Sequence, residues 1–485
     1  MPQGKESPKR PWLEVFGEKA EAWVRSWMPD PFIFAIILTI IGMIIVVWVL
    51  DTPKHLGWGG TVKFLVYSAW YGGFWKLLKF SMQMTLILVT GYVIAYHPYI
   101  YRGLSKLAGW PKNTKQAAVL AALVSILLSY ISWGLSLIGG AVLAREIGRQ
   151  AYFKKRKIHY PAVVAAAYAG LGLTWHWGLT ASASLLMNTP GYFLGKVVKE
   201  LYGRETIPLS ETIFHPYTIA NFILVTIFAM IIFWFISPSH ENVKGIEEYD
   251  PKAVEKEEEV PRFEKVEAKT LADKLENSRT LAYITVLLGL IAIGYDLGTK
   301  GISRALNLNT MNFIFLIFGL LLYGNPIRYA RVFYNSVRSA AGVILQFHFY
   351  AGIFGLFNTK LAATGVSAAM IIANKIASIA TPTTWPIVAW LIAGLVNIFV
   401  PSGGGEWAAI GEILIRAGHA LGVPIGKTII AYSVGDAWTN LLQPFWAIPL
   451  LHITNTRARD VFGYTLTLML LIAPVIALGL LLIPY

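Results

Sequence analysis

Long apolar runs separated by short charged stretches dominate the chain. Several reach the roughly 20 residues that cross a bilayer as a helix. The pattern predicts a first span over Pro31–Leu50 and a second over Phe80–His97, with Trp58, Trp70, Tyr71 and Trp75 in an interfacial loop between them. An apolar segment, Ala117–Ala144, comes next, then a crossing over Pro161–Thr189 and a span over Tyr217–Ile236. Beyond a charged stretch the alternation resumes. Spans are predicted over Leu281–Gly298, Thr310–Tyr323 and Gly342–Phe357, followed by an apolar segment over 384–417, a crossing over Ile425–Leu451 and a last span over Val461–Leu482.

Polar and glycine residues interrupt four of these segments. Ala117–Ala144 is broken at Ser132-Trp133-Gly134-Leu135-Ser136, with Gly139 and Gly140 just after. The crossing that follows contains Gly170, Gly172 and Gly178 and the polar cluster Thr174, His176, Thr180, Ser182 and Ser184. In the second half, Pro401-Ser402-Gly403-Gly404-Gly405 prevents a helix from continuing, and the next crossing is broken across Gly435–Gln443. Freed backbone groups at lipid depth are tolerated only where protein buries them or they line a cavity. In secondary carriers such breaks hold substrates and ions. For Gly403–Gly405, tight helix packing is the other reading.

Charge then sets orientation. Arg102, Lys106, Lys112 and Lys115 precede the first interrupted segment, and Arg145, Arg149 and Lys154–Lys157 follow it. Both flanks read as cytoplasmic, so the segment is predicted to be a re-entrant hairpin, 117–148. Arms of about 10–15 residues rise roughly 15–22 Å, enough to reach the middle of a core about 30 Å thick. The second hairpin, 384–417, has charge-poor flanks (Lys360, Lys375, Arg416, Lys427) and reads as entering from outside. Each half then runs in the same order: a span with a mid-membrane glutamine (Gln83, Gln346), a hairpin, a broken crossing and a plain span. The prediction is an all-α polytopic membrane protein of two inverted repeats, with about nine transmembrane helices and two re-entrant hairpins. Residues 1–30 form a cytoplasmic or interfacial segment bearing Trp12, Trp23 and Trp27, and no cleaved signal peptide is read there. Residues 31–237 form the first repeat, 238–278 a charged cytoplasmic linker without a fold of its own, and 279–485 the second repeat. The N-terminus is placed in the cytoplasm and the chain in the cytoplasmic membrane.

Composition agrees. Of 485 residues, 55% are hydrophobic and 14% charged, against about 25% charged in soluble proteins. The net charge of +14 sits in short loops, which points to membrane topology and to no nucleic-acid partner. The chain has no cysteine, which excludes disulfides, thiolate metal sites and cysteine nucleophiles. A membrane-embedded enzyme would show paired ligands such as His-x-x-x-His; none is present, so no enzyme, resident metal or cofactor is predicted. A channel would not need two oppositely oriented midplane breaks.

Several strings carry a resemblance to a known family. They are Trp27-Met28-Pro29-Asp30-Pro31-Phe32, Met82-Gln83-Met84, Trp133-Gly134 leading to Ala144-Arg145-Glu146, Val400-Pro401-Ser402-Gly403-Gly404-Gly405, and Trp438-Thr439-Asn440 into Gln443-Pro444-Phe445-Trp446. Nearly end to end, the chain resembles the short-chain fatty acid transporter family, within the ion transporter superfamily of inverted-hairpin carriers. The resemblance implies uptake of small monocarboxylates such as acetoacetate or butyrate, elevator-type movement of a transport unit against a scaffold, and a homodimer. Three departures fall at the expected site: Ser132 where an asparagine is expected, Glu406 after the glycines, and Thr174-Trp175-His176-Trp177-Gly178 in the first crossing.

A carboxylate substrate wants donors without a fixed full charge, which helix N-termini and glycine N–H groups supply. The substrate-binding candidates are Ser132, Trp133, Gly134, Ser136, Thr174, Ser402, Gly403, Gly404, Gly405, Trp438 and Gln443, with Trp133, Trp175 and Trp438 as an apolar wall for the alkyl tail. Neither hairpin tip carries Lys or Arg, which favours one negative charge over a dicarboxylate. Asp436, Thr439, Asn440 and Ser182 are the ion-binding candidates, for Na⁺ or, through Asp436, for H⁺; a carboxylate in a membrane segment is expensive and usually functional. Ser132 and Ser136 also fit bonds to their own helix carbonyls. Gln83 and Gln346 fit interhelical contacts, His176 and His348 fit packed, hydrogen-bonded positions, and Glu406 is expected to be salt-bridged or to face the outer vestibule.

Overall fold

The first apolar run is one helix, Pro31–Leu50 (α1), which ends where the sequence predicts. The structure, a computed structural model, describes residues 31–238, 243–255, 269–399 and 401–485. The expected N-terminal segment and Val400 lie outside the described residues. The aromatic stretch after α1, predicted as a loop, is instead helical from Thr52 to Phe74 (α2), with a π-helical turn over Lys63–Tyr71. Gly57 kinks it at φ 64°, a conformation that favours glycine. Gly73 faces Gly355 across a contact where an added Cβ would lie 2.6 Å from backbone atoms; small residues there let the two backbones meet.

The helices that position the candidate site follow in order. They are α3 (Leu78–Ala95), α4 (Pro98–Ala108), α5 (Thr114–Ile131), α6 (Trp133–Phe153), α7 (Tyr160–Ala167), α8 (Ser182–Met187), α9 (Gly195–Tyr202) and α10 (Pro216–Ile236). The end of the linker holds α11 (Leu271–Glu276), and after it come α12 (Arg279–Lys300), α13 (Leu308–Tyr323), α14 (Pro326–Ser336), α15 (Ala341–Asn358), α16 (Ala368–Ala377), α17 (Trp385–Phe399), α18 (Gly403–Ala420), α19 (Ile425–Thr439), α20 (Pro444–Thr454) and α21 (Ala458–Leu482). The described residues contain no strand. Among the described residues, six helical stretches are long and apolar enough to cross a membrane: α3, α5, α10, Leu271–Lys300, α15 and α21. Shorter apolar helices include Leu308–Tyr323 and Trp385–Ile398. This is a multi-pass membrane protein.

A serine makes the turn in both interrupted segments. Ser132 is extended (φ −158°, ψ 130°) and its side chain accepts the Leu135 N–H, capping α6. Ser402 is extended (φ −155°, ψ 98°) and its Oγ accepts the Gly405 N–H at 3.2 Å, capping α18. An N-cap serine satisfies a donor that the new helix leaves free. The first hairpin is zipped by Ser136 Oγ donating to Ser125 O at 2.7 Å and by Gly139 against Leu128. Its arms, 18 and 21 residues, are longer than predicted. The polar ends remain helical because Asn113 caps α5 and Glu146 takes bonds from Tyr101 and Arg149, both at 2.6 Å.

Partners recur between the halves. α6 packs on the glutamine helix α3, and α18 packs on its counterpart α15. The first hairpin arm of each half lies on the broken crossing that follows: α5 on α7 and the Gly170–Thr174 turn, α17 on α19. Glycines set that contact. A Cβ on Gly170 would stand 2.1 Å from Ser125 O, and one on Gly435 would stand 2.2 Å from Trp390 O. Gln83 bridges the halves, its Nε2 donating to Asn309 Oδ1 at 2.6 Å. The described parts of the linker include 243–255, which is docked rather than free, and 269–278, which against expectation holds a short capped helix, α11. Ile246 and Ala253 are buried, Arg149 Nε donates to Ala253 O at 2.8 Å, and Arg145 pairs with Asp250 at 3.1 Å. Short helices that the span pattern does not predict, among them α4, α9, α11, α14 and α16, are too short to cross.

Candidate functional site

The N-termini of α6 and α18 open on one cavity of about 30 Å³. That volume admits a few water-sized groups and is small for a ligand with the hairpins in this position. Six of the predicted residues line it: Trp133, Ser182, Ser402, Gly403, Gly404 and Asn440. Met84, Leu171, Trp175, Val343, Phe347 and Trp446 complete the wall. Of these only Trp175 is foreseen by sequence, as part of an apolar wall. Trp133 meets Trp175 and Trp446 edge to face, with centroids 6.2 and 5.3 Å away. Trp446 Nε1 is spent on Pro401 O at 2.8 Å. By contrast, the buried indole N–H groups of Trp133 and Trp175 have no acceptor among the described residues. The lining holds no Lys, Arg, Asp or Glu.

Available donors belong mainly to the second tip. Gly403 and Gly404 sit in the first turn of α18, where N–H groups have no intrahelical acceptor. Their backbone is pressed against rings: a Cβ on Gly403 would lie 2.7 Å from Trp175, and one on Gly404 would lie 2.2 Å from Phe80. Gly405 abuts Tyr350 and is one residue beyond the cavity lining. At the first tip, Trp133 N–H is taken by Thr180 Oγ1 at 3.1 Å, and Gly134 packs on α3 near Leu88 O and Gly91. Ser132 serves as the cap.

The structure does not bring the remaining substrate candidates to the cavity. Ser136 is held in the hairpin bond described above. Thr174 Oγ1 is 2.8 Å from Ser129 Oγ and donates to Gly170 O at 3.2 Å. Gln443 Nε2 donates to Asn397 O and Ile398 O at 2.9 and 3.0 Å, satisfying carbonyls at the end of α17. Trp438 packs on Trp390 with the rings tilted (centroids 4.6 Å apart) and donates to Met469 O at 2.8 Å. Sequence signals a tryptophan there but not which face of α19 carries it.

Three of the four ion candidates converge. Asn397 Nδ2 lies 2.8 Å from Asp436 O, 2.9 Å from Thr439 Oγ1 and 3.0 Å from Asn440 Oδ1. One amide group carries two protons, so three acceptors exceed its supply, and Asn397 Oδ1 has no partner among the described residues. Turning the amide would place four oxygens around one point, a ligand set suited to a small hard cation. Asn397 is the missed member; its signal is an asparagine alone in the apolar run Trp385–Phe399. Ser182 stands apart, with its Oγ 3.5 Å from Met84 Sδ.

Asp436 is fully buried, its Oδ2 2.7 Å from His176 Nδ1. Glu406 is also fully buried. Against expectation, it makes no salt bridge among the described residues and does not face a vestibule, because the tip folds it inward against α19. Its carboxyl lies beside that of Asp436.

A family profile described as short chain fatty acid transporter matches residues 12–483. A Haemophilus influenzae protein named "Putative short-chain fatty acid transporter" is 34% identical over 462 residues, covering 94% of this chain and 97% of the relative. An Escherichia coli K12 protein of the same name is 33% identical with the same coverage. Among solved structures, the Alcanivorax borkumensis YdaH transporter, reported to have an unusual topology, matches with a TM-score of 0.59 at 15% identity, covering 93% of this chain and 97% of that one. That last likeness concerns fold alone.

Proposed function

This chain belongs to the short-chain fatty acid transporter family, and on that premise we propose that it is a cation-coupled secondary carrier of small monocarboxylates such as butyrate or acetoacetate. One observation carries the reading: the cavity between the two hairpin tips offers uncharged donors without partners (the indole N–H groups of Trp133 and Trp175, and the first-turn N–H groups of Gly403 and Gly404) and an otherwise apolar wall. Such donors suit one carboxylate with a short alkyl tail. A dicarboxylate would leave a second charge without compensation in a lining that has no Lys or Arg. The test is counterflow of labelled butyrate in proteoliposomes. Unlabelled propionate, butyrate and acetoacetate should compete and succinate should not; competition by succinate alone would overturn the substrate class.

In this reading the two halves are inverted repeats that supply about nine spans and two re-entrant hairpins. The hairpin–crossing units move as one body against the remaining helices, in a cytoplasmic membrane. The shared serine caps and the recurring partners of each hairpin support it. A chain without cysteine permits a clean check. Lys157→Cys, at the base of the first hairpin, should react with an impermeant maleimide only from the cytoplasmic side, and His419→Cys, at the base of the second, only from the outer side. Both positions are exposed. Labelling of both from one side would rule out inversion.

A further inference from the structure

The cavity wall divides by origin. The donors named above, on Trp133, Trp175, Gly403 and Gly404, all come from the hairpins and the first crossing. Three lining residues come instead from two uninterrupted helices: Met84 from α3, and Val343 and Phe347 from α15. All three are apolar and buried. Val343 and Phe347 are about one helical turn apart and so share a face of α15. Met84 meets the first crossing through its sulfur, which accepts from Ser182 Oγ at 3.5 Å.

This apolar part of the wall is anchored from behind by the two mid-membrane glutamines, each the sequence neighbour of a wall residue. Gln83, beside Met84, donates through Nε2 to Asn309 Oδ1 at 2.6 Å, and its backbone O accepts from Asn312 Nδ2 at 3.0 Å. Both partners are on α13, so the turn of α3 that carries Met84 is pinned to a helix outside the hairpins. Gln346, beside Phe347, accepts the Tyr350 hydroxyl at 3.1 Å. Phe347 itself packs on Phe80 and Tyr350, with centroids 5.5 and 6.0 Å away.

We propose that Met84, Val343 and Phe347 select the substrate by the length of its alkyl tail. A carboxylate held by the hairpin and crossing donors leaves its tail to apolar surface, since a tail laid over those N–H groups would leave them unpaired. Each methylene buried against the wall raises affinity about fourfold. Once the wall is reached, a further methylene must displace packed side chains, which costs more than it gains. A wall fixed from behind therefore produces an optimum length rather than affinity that rises with every carbon. The inference rests on the monocarboxylate reading above and assigns its size selection to residues that do not hold the carboxylate. In that reading α3 and α15 lie outside the moving units, so the groups that grip the head travel past the groups that measure the tail.

Displacement of labelled butyrate from the purified full chain in detergent, by straight-chain acids from acetate to heptanoate, tests this. Met84→Ala removes the thioether arm from the wall, room for about two methylenes, and should raise the affinity for hexanoate relative to butyrate at least about tenfold. Val343→Leu adds a methylene to the same wall and should lower the affinity for butyrate relative to propionate about fourfold. Ile87→Ala is the structural control. Ile87 is buried on α3 but outside the lining, so its loss should lower the detergent melting temperature and leave the ranking of acids as in the wild type. A uniform loss of affinity for every acid in Met84→Ala and Val343→Leu, or rankings equal to the wild type, would overturn the proposal. If one of these variants fails to melt cooperatively, the other decides, because the two act in opposite directions. A wild type from which none of these acids displaces butyrate, or which binds none, would overturn the monocarboxylate reading and this inference with it.

Discussion

Asp436→Asn is expected to abolish uphill accumulation of butyrate in proteoliposomes, bringing the internal level down to that of protein-free vesicles under the same gradient. The residue is fully buried and serves two groups at once: its Oδ2 takes the proton of His176 Nδ1 at 2.7 Å, and its carboxyl lies against Glu406. Asparagine keeps an oxygen for the histidine but carries no charge and takes up no proton. The charge-assisted bond that it weakens is worth about 1.5–3 kcal/mol. Removing a buried anion from the side of another offsets that cost. Detergent melting should therefore fall little or even rise, while coupling is lost. The contrast between an intact melt and absent accumulation separates an ion-handling residue from a structural one. Accumulation at the wild-type level would remove Asp436 from the coupling machinery.

The two helix breaks were legible because their signal is linear. A serine followed by glycines inside an apolar run marks where the helix must stop, and Ser132 and Ser402 each cap the helix that begins there. The helix ends at Leu50, Ile236 and Leu482 fall where apolar runs end, so composition alone locates them. Residues whose role depends on which face meets another element could not be read this way. Met84, Phe347 and Trp446 look like any apolar lipid-depth residue in the chain, yet they close the cavity. Ser136 and Thr174 look like free hydroxyls, yet neighbouring backbone and Ser129 engage them. Glu406 misleads in the opposite direction. A lone acid beside a predicted outer hairpin suggests water, and only the inward fold of the tip against α19 places it beside Asp436. Asn397 shows the same limit, because three partners from α19 and the turn after it give meaning to one amide on α17.

Gly404→Ala should reduce the initial rate of butyrate uptake at least about tenfold, the equivalent of roughly 1.4 kcal/mol. The added Cβ would lie 2.2 Å from Phe80 Cζ, well inside contact distance. Overpacking of this kind costs about 1–3 kcal/mol when neighbours cannot yield. Phe80 is buried and braced by Phe193 and Phe347, at centroid distances of 6.1 and 5.5 Å, and Phe347 is itself a cavity wall. Any displacement of Phe80 therefore narrows the cavity or holds the tip away from it. A matched control is Gly103→Ala on α4, where an added Cβ meets nothing within 4 Å and uptake should not change. Adding Phe80→Leu to Gly404→Ala should restore much of the rate, because the two positions share one contact and their effects should not add. Equal uptake by Gly404→Ala and Gly103→Ala would mean that transport does not require the tip to seat against Phe80. A rate that Phe80→Leu fails to rescue would place the cost in the backbone of α18 rather than in that contact.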